Sequence, residues 1–122
     1  MKRDHDLLRA ILLRVEEAGP GPLSESELAI DGFDKTMIGY HVQLLDDAGF
    51  VQARFLDLQQ RPVPVFTVLR LTSTGHDYLD NIRTPEVWTK TKATIGEQLR
   101  SASIEVFAKV AAEIAKAQMG LA

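Results

Sequence analysis

The stretch Asp34 to Val51, DKTMIGYHVQLLDDAGFV, decides the architecture. Asp34 offers the short carboxylate that caps a helix, and Met37, Ile38, Val42, Leu44, Leu45 and Ala48 then fall on helical spacing. Gly49 supplies a left-handed stop, and Phe50-Val51 begin an extended segment at once. From Phe50 to Leu58 and again from Val63 to Leu71 the chain is rich in Val, Phe, Leu and Thr. The polar Gln59-Gln60-Arg61-Pro62 lies between these runs, which predicts two strands joined by a hairpin.

The flanks read as helices. Between Asp4 and Ala18 the residues Leu7, Leu8, Ile11, Leu12 and Val15 form an apolar stripe, with Asp4 placed to cap it and Gly19-Pro20-Gly21-Pro22 placed to end it. After the hairpin, Thr72 or Ser73 caps a helix through about Ile82, with Tyr78, Leu79 and Ile82 facing inward. Pro85 opens another helix, because proline is tolerated at the first helical position, and Val87, Trp88 and Ile95 supply its apolar face. A last helix runs from about Ser103 to Gln118 on the stripe Ile104, Phe107, Val110, Ala111 and Ile114, continuing towards Leu121. The segment Leu23 to Ile30 reads as a short helix capped by Ser24 or Ser26, although the alternation around Leu28 and Ile30 also suits a strand. The expected class is therefore α+β, mostly helical, with a two-stranded hairpin and additional C-terminal helices. Residues 1–83 form the main unit, and 84–122 form a helical extension that packs on it or makes a dimer interface, within one compact domain.

At 122 residues there is room for one core, and the composition, 45% hydrophobic and 25% charged, is that of a globular chain rather than a disordered one. With 0 Cys, disulfide scaffolds, thiol nucleophiles and cysteine zinc sites are excluded, and a reducing cytoplasm is the expected location. The longest apolar-rich run, Val63 to Leu69, is too short to cross a bilayer, so no membrane role is expected.

Nothing in the residue pattern proposes catalysis. His5, His41 and His76 lie in separate elements without a helical i, i+4 partner, so neither a metal site nor a cofactor is expected. His41, inside a helix beside Val42, reads as a packed, hydrogen-bonded histidine, and His76 beside Asp77 reads as part of a helix start. The serines sit at helix starts or in loops without a G-x-S-x-G elbow, and Gly19 to Pro22 lacks the Lys-Ser/Thr of a phosphate-binding loop. The expectation is a protein that binds rather than one that catalyses.

In Thr36, Ile38, His41, Val42, Leu45, Ala48, Gly49, Phe50 and Val51 the chain resembles, without a gap, the third helix of winged helix-turn-helix regulators and its passage into the wing. Ser26-Glu27-Leu28-Ala29 resembles their second helix, and Leu71-Thr72-Ser73-Thr74-Gly75 through Leu79 is similar to the segment by which such proteins leave the wing. A wider resemblance spans nearly the whole chain. It runs through Met1 to Leu7, Tyr40-His41, Gly75 to Asp80, Val87-Trp88 and Gln118 to Leu121, and it is to an uncharacterised family of bacterial and phage or prophage proteins. It implies a winged helix and a phage-linked setting, with no established activity.

On the winged-helix resemblance, Lys35, Thr36, Gly39, Tyr40 and Gln43 are the outward residues expected to meet double-stranded DNA, with Arg61 added from the wing. Lys35 suits a phosphate or guanine, Thr36 a phosphate or thymine methyl, Gln43 an adenine edge, and Tyr40 a phosphate or stacked base. Charge argues the other way. Between Ser24 and Leu71 there are four basic residues against seven acidic, so a basic stripe has to be assembled by folding or dimerisation, from Lys2, Arg3, Lys35, Arg54 and Arg61. The alternative expectation is a protein-binding adaptor or inhibitor that offers Asp46 and Asp47 to a basic partner. Alanines 108, 111, 112 and 115 leave a homodimer through 103–119 as open as intramolecular packing.

Overall fold

A computed structural model describes residues 1–97 and 101–120. Among these, five helices surround a small antiparallel sheet in the order α1 (His5–Glu17), β1 (Leu23–Ser24), α2 (Lys35–Asp47), β2 (Val51–Leu56), β3 (Val65–Leu71), α3 (Ser73–Ile82), α4 (Pro85–Ile95) and α5 (Ile104–Gln118). Leu121, towards which the α5 stripe was expected to continue, lies outside the described residues.

Four helices begin where a short polar side chain satisfies an otherwise orphan backbone donor. Asp4 accepts from Leu7 N–H, Asp34 from Met37, Thr72 from Gly75 and Ser103 from Val106. α2 ends in a Schellman arrangement: Phe50 N–H donates to Leu45 C=O at 2.9 Å and Gly49 N–H to Asp46 C=O at 3.0 Å, with Gly49 at φ +81°. That turn delivers the chain directly into β2.

The expected short helix at Leu23 to Ile30 is not formed, and the sheet has three strands rather than two. Leu23 and Ser24 pair with Val68 and Thr67, which puts β3 in the centre of the order β1-β3-β2. Glu27 then folds back on Ser24, its Oε1 accepting from the Ser24 amide at 3.0 Å and the hydroxyl at 2.7 Å. This closes a single turn. A nucleus that short does not propagate when pairing and burial already satisfy Leu23 and Leu28, both inside the core.

One continuous core joins the two halves of the chain. Leu7, Leu8, Ile11 and Leu12 of α1 meet Val42 and Leu45 of α2, Phe66 and Val68 of β3, and Leu79 and Ile82 of α3. Trp88, Ile104, Phe107 and Ala111 of α4 and α5 belong to the same cluster. Trp88 also donates from Nε1 to Asp6 at 2.8 Å, and the His5 ring stacks on Phe107 with centroids 3.5 Å apart. No helix among the described residues is long and apolar enough to cross a membrane.

Candidate nucleic-acid interface

The site expected from the sequence centres on α2, and its helical phase decides which residues are available. Ile38, His41, Val42 and Leu45 face the core. Thr36, Tyr40 and Gln43, at i, i+4 and i+7, form a half-buried stripe, and Lys35 is exposed at the first helical position. Gly39 departs from the expected outward orientation. It is buried against the hairpin, where a Cβ would lie 3.0 Å from Val63 Cγ1 and 3.7 Å from the Phe66 ring. Glycine there lets the hairpin close on α2, and a ligand cannot reach it.

Arg61 is also committed inside the molecule. Its guanidinium engages Glu25, with Nη2 to Oε1 at 2.7 Å and Nη1 to Oε2 at 3.4 Å, while Nε donates to Val63 C=O at 3.1 Å. It fastens the hairpin tip to the turn after β1 and so differs from a free wing cation. Arg70 is held by Gln52 and by the Leu71 carbonyl. Arg54 is exposed and shares a register position with Thr67, while Ala53 and Val68, next along the strands, form the neighbouring pair.

Tertiary structure adds a neighbour that α2 alone does not reveal. The N-terminal segment turns beside α2 because Asp4 N–H donates to His41 Nε2 at 2.8 Å. Nδ1 of the same ring donates to Met37 C=O at 2.8 Å, since Nε2 must be the acceptor for an amide N–H. His41 is wholly buried, and burial holds its pKa below the usual histidine value against the opposing effect of the Met37 carbonyl. The tie brings Lys2 and Arg3 to the rim of a cleft of about 1120 Å³ that also takes in Met37, Tyr40, Leu44 and Lys92. Arg3 is anchored through Nη1 to the carbonyls of Ser101 and Ala102, and Lys92 is paired with Asp6 at 3.0 Å. Lys2 and Lys35 are exposed and make no ion pair among the described residues. Lys2 was legible only as a basic N-terminal residue; the His41 link, spanning 37 positions, places it beside α2.

Asp46, expected as one half of an acidic partner-facing spot, has a structural role. Its Oδ1 accepts from Ala53 N–H at 3.0 Å, where the β2–β3 register shifts between Gln52 and Ala53. β2 is an edge strand, so this carboxylate blunts a donor that another chain could pair with. Asp46→Ala is expected to lower stability by about 1–2 kcal/mol and Asp46→Asn by less, because the amide keeps an acceptor. Urea unfolding of both variants checks this, and wild-type stability in the alanine variant would remove the assigned role. Asp47 is exposed. The described residues contain no group of three or more His, Cys, Asp or Glu side chains placed to hold a metal ion.

Comparison with known proteins gives a family without a function. An uncharacterized protein of Haemophilus influenzae (strain ATCC 51907 / DSM 11121 / KW20 / Rd) is 34% identical over 114 residues, covering 93% of this chain and 95% of that protein. No solved structure matches. The family described as "Hypothetical protein (DUF2513)" matches residues 2–101. With that span and a relative aligned nearly end to end, the chain belongs to the DUF2513 family.

Proposed function

We propose that this protein is a winged-helix DNA-binding protein, a cytoplasmic transcriptional regulator of bacterial or phage origin, with α2 as its reading helix and the β2–β3 hairpin as its wing. The observation that carries the reading is the outward stripe Thr36, Tyr40 and Gln43, with Lys2 beside Tyr40 in one cleft and Lys35 exposed at the start of α2, both lysines in no ion pair among the described residues. Phosphate contacts from such cations position a protein on a duplex, and Gln43 and Thr36 are the side chains that meet base edges. The support is local, since the molecule carries a net charge of -3.

Fluorescence polarisation with random duplex DNA across a salt series tests the proposal. Binding is expected at low ionic strength and to weaken steeply with salt. Lys35→Ala and Lys2→Ala are each expected to weaken it roughly three- to tenfold and to reduce the salt slope by about one. Arg61→Ala, whose charge is already matched by Glu25, is expected to leave the slope unchanged. Absence of saturable binding at the lowest salt overturns the reading.

A second reading, a non-enzymatic adaptor or inhibitor of another protein, is favoured by the hairpin tip. Leu56 is 61% exposed and Leu58 45% exposed, and the arginine beside them is neutralised. Apolar side chains with a matched charge suit a protein surface better than a phosphate backbone. Capture of a partner that is lost in Leu56→Ser/Leu58→Ser, without DNA retention, distinguishes this reading from the first.

A further inference from the structure

The cleft beside α2 holds chemistry that contact with a duplex does not use. At about 1120 Å³ it has room for a small organic molecule. Met37 and Leu44 of α2, Ala93 of α4 and Phe107 of α5 make much of its wall apolar. Two residues that line it carry buried polar atoms without a partner among the described residues, Arg3 Nε and His5 Nδ1. His5 is 6% exposed, and its Nε2–H donates to the Ala102 carbonyl at 2.8 Å. Nδ1 is therefore an acceptor that calls for a donor, as Arg3 Nε–H calls for an acceptor. Burial brings the His5 pKa down to about 4, so the ring is neutral and Nδ1 keeps its lone pair at pH 7.

The charges around the cleft are unequally committed. Lys92 is matched by Asp6, and Asp4 caps α1. Arg3 is half-buried, yet its bonds run to the neutral carbonyls of Ser101 and Ala102. Arg3, Lys2 and the exposed Glu97 have no ion pair among the described residues. Unmatched cations suit a carboxylate, whereas the Nδ1 acceptor and Glu97 suit an ammonium group. We propose that this cleft binds a free α-amino acid with a large apolar side chain, its carboxylate on Arg3 and Lys2 and its ammonium on His5 Nδ1. A simple anion would leave Nδ1 without a donor, and a simple amine would leave the half-buried guanidinium without a counter-ion. A ligand of that size binds with a Kd on the order of 100 μM.

An NMR chemical-shift titration of the full chain with L-phenylalanine, in the absence of nucleic acid, tests the proposal separately from DNA binding. Saturable shifts are expected at Met37, Leu44 and Ala93. The truncated analogues 3-phenylpropionate, which lacks the ammonium, and 2-phenylethylamine, which lacks the carboxylate, are each expected to bind about tenfold more weakly. His5→Phe keeps a ring against Phe107 and removes Nδ1. It is expected to weaken L-phenylalanine about tenfold and to leave 3-phenylpropionate unchanged, a difference that a merely loosened cleft would not give. Ala93→Phe, at an exposed position, is expected to weaken L-phenylalanine about tenfold with unchanged circular dichroism. Absence of saturable shifts with L-phenylalanine, L-leucine and L-methionine at millimolar concentration overturns the proposal. So does a truncated analogue that binds as well as L-phenylalanine, or a His5→Phe or Ala93→Phe protein with wild-type affinity.

Discussion

Gly75→Ala is expected to cost about 3–5 kcal/mol, a large share of the stability of a small domain. Gly75 is the third residue of α3, and a Cβ built on it would lie 1.9 Å from the Phe50 carbonyl oxygen and 2.9 Å from the carbonyl carbon. Those atoms belong to backbone, so no flexible side chain can move aside. Phe50 C=O accepts from Thr72 N–H at 3.1 Å, Thr72 Oγ1 donates to Gly49 C=O at 2.5 Å, and the same oxygen accepts from Gly75 N–H at 3.0 Å. Any shift that relieves the clash pulls on the α3 cap, the end of β3 and the α2–β2 turn together. Gly32→Ala is the control: φ is +91° there with nothing within 4 Å, so only the backbone penalty applies, about 1 kcal/mol. Urea unfolding of the two variants decides the matter. A Gly75→Ala protein as stable as the Gly32→Ala protein would mean that α3 and the α2–β2 turn are not in the close contact described.

Stability is expected to fall as pH drops from about 6.5 to about 4, by about 2–3 kcal/mol from His5 alone. His5 is 6% exposed, and burial pushes its pKa down to about 4, outweighing the Ala102 carbonyl that favours the charged ring. Nε2 lies 2.8 Å from that carbonyl and must carry the proton, which leaves Nδ1 as a buried acceptor without a partner among the described residues. The sign follows from the two states. The unfolded chain takes up a proton near pH 6.5 and the folded chain resists until about pH 4, so acid favours unfolding across that interval. His41 acts in the same direction, because its Nε2 has to stay unprotonated to accept from Asp4 N–H. His5→Phe keeps an aromatic ring against Phe107, and the Ala102 carbonyl keeps the Arg3 Nη1 donor at 3.1 Å. That variant is expected to show a clearly shallower decline between pH 6.5 and 4.5 in denaturant midpoints. An unaltered decline would move the effect to other groups.

The five helices were legible because their information is local. Apolar spacing fixed the inward faces of α1 and α2, and Asp4, Asp34, Thr72 and Ser103 cap helices at the positions their side-chain chemistry suggests. The β2–β3 hairpin was legible for the same reason, from two β-rich runs around a polar tip. β1 was not. Two residues carry no period, and they become a strand only because β3 presents an edge to them.

The candidate site divides along the same line. Thr36, Tyr40 and Gln43 could be placed on one side of a helix from spacing, with Lys35 at its first position, whereas the inward position of Gly39 depends on Val63, which arrives from the connection just before β3. The state of Arg61 depends on Glu25, 36 positions away, and the placing of Lys2 on a bond between Asp4 and His41, 37 positions apart. His5 is drawn into the core by Phe107 of the last helix. Backbone periodicity and capping act within a turn or two of chain and can be read from neighbours in order. Burial, ion pairing and close backbone approach depend on which distant residues packing brings into contact, and these set the availability of each charge and the pKa of each histidine.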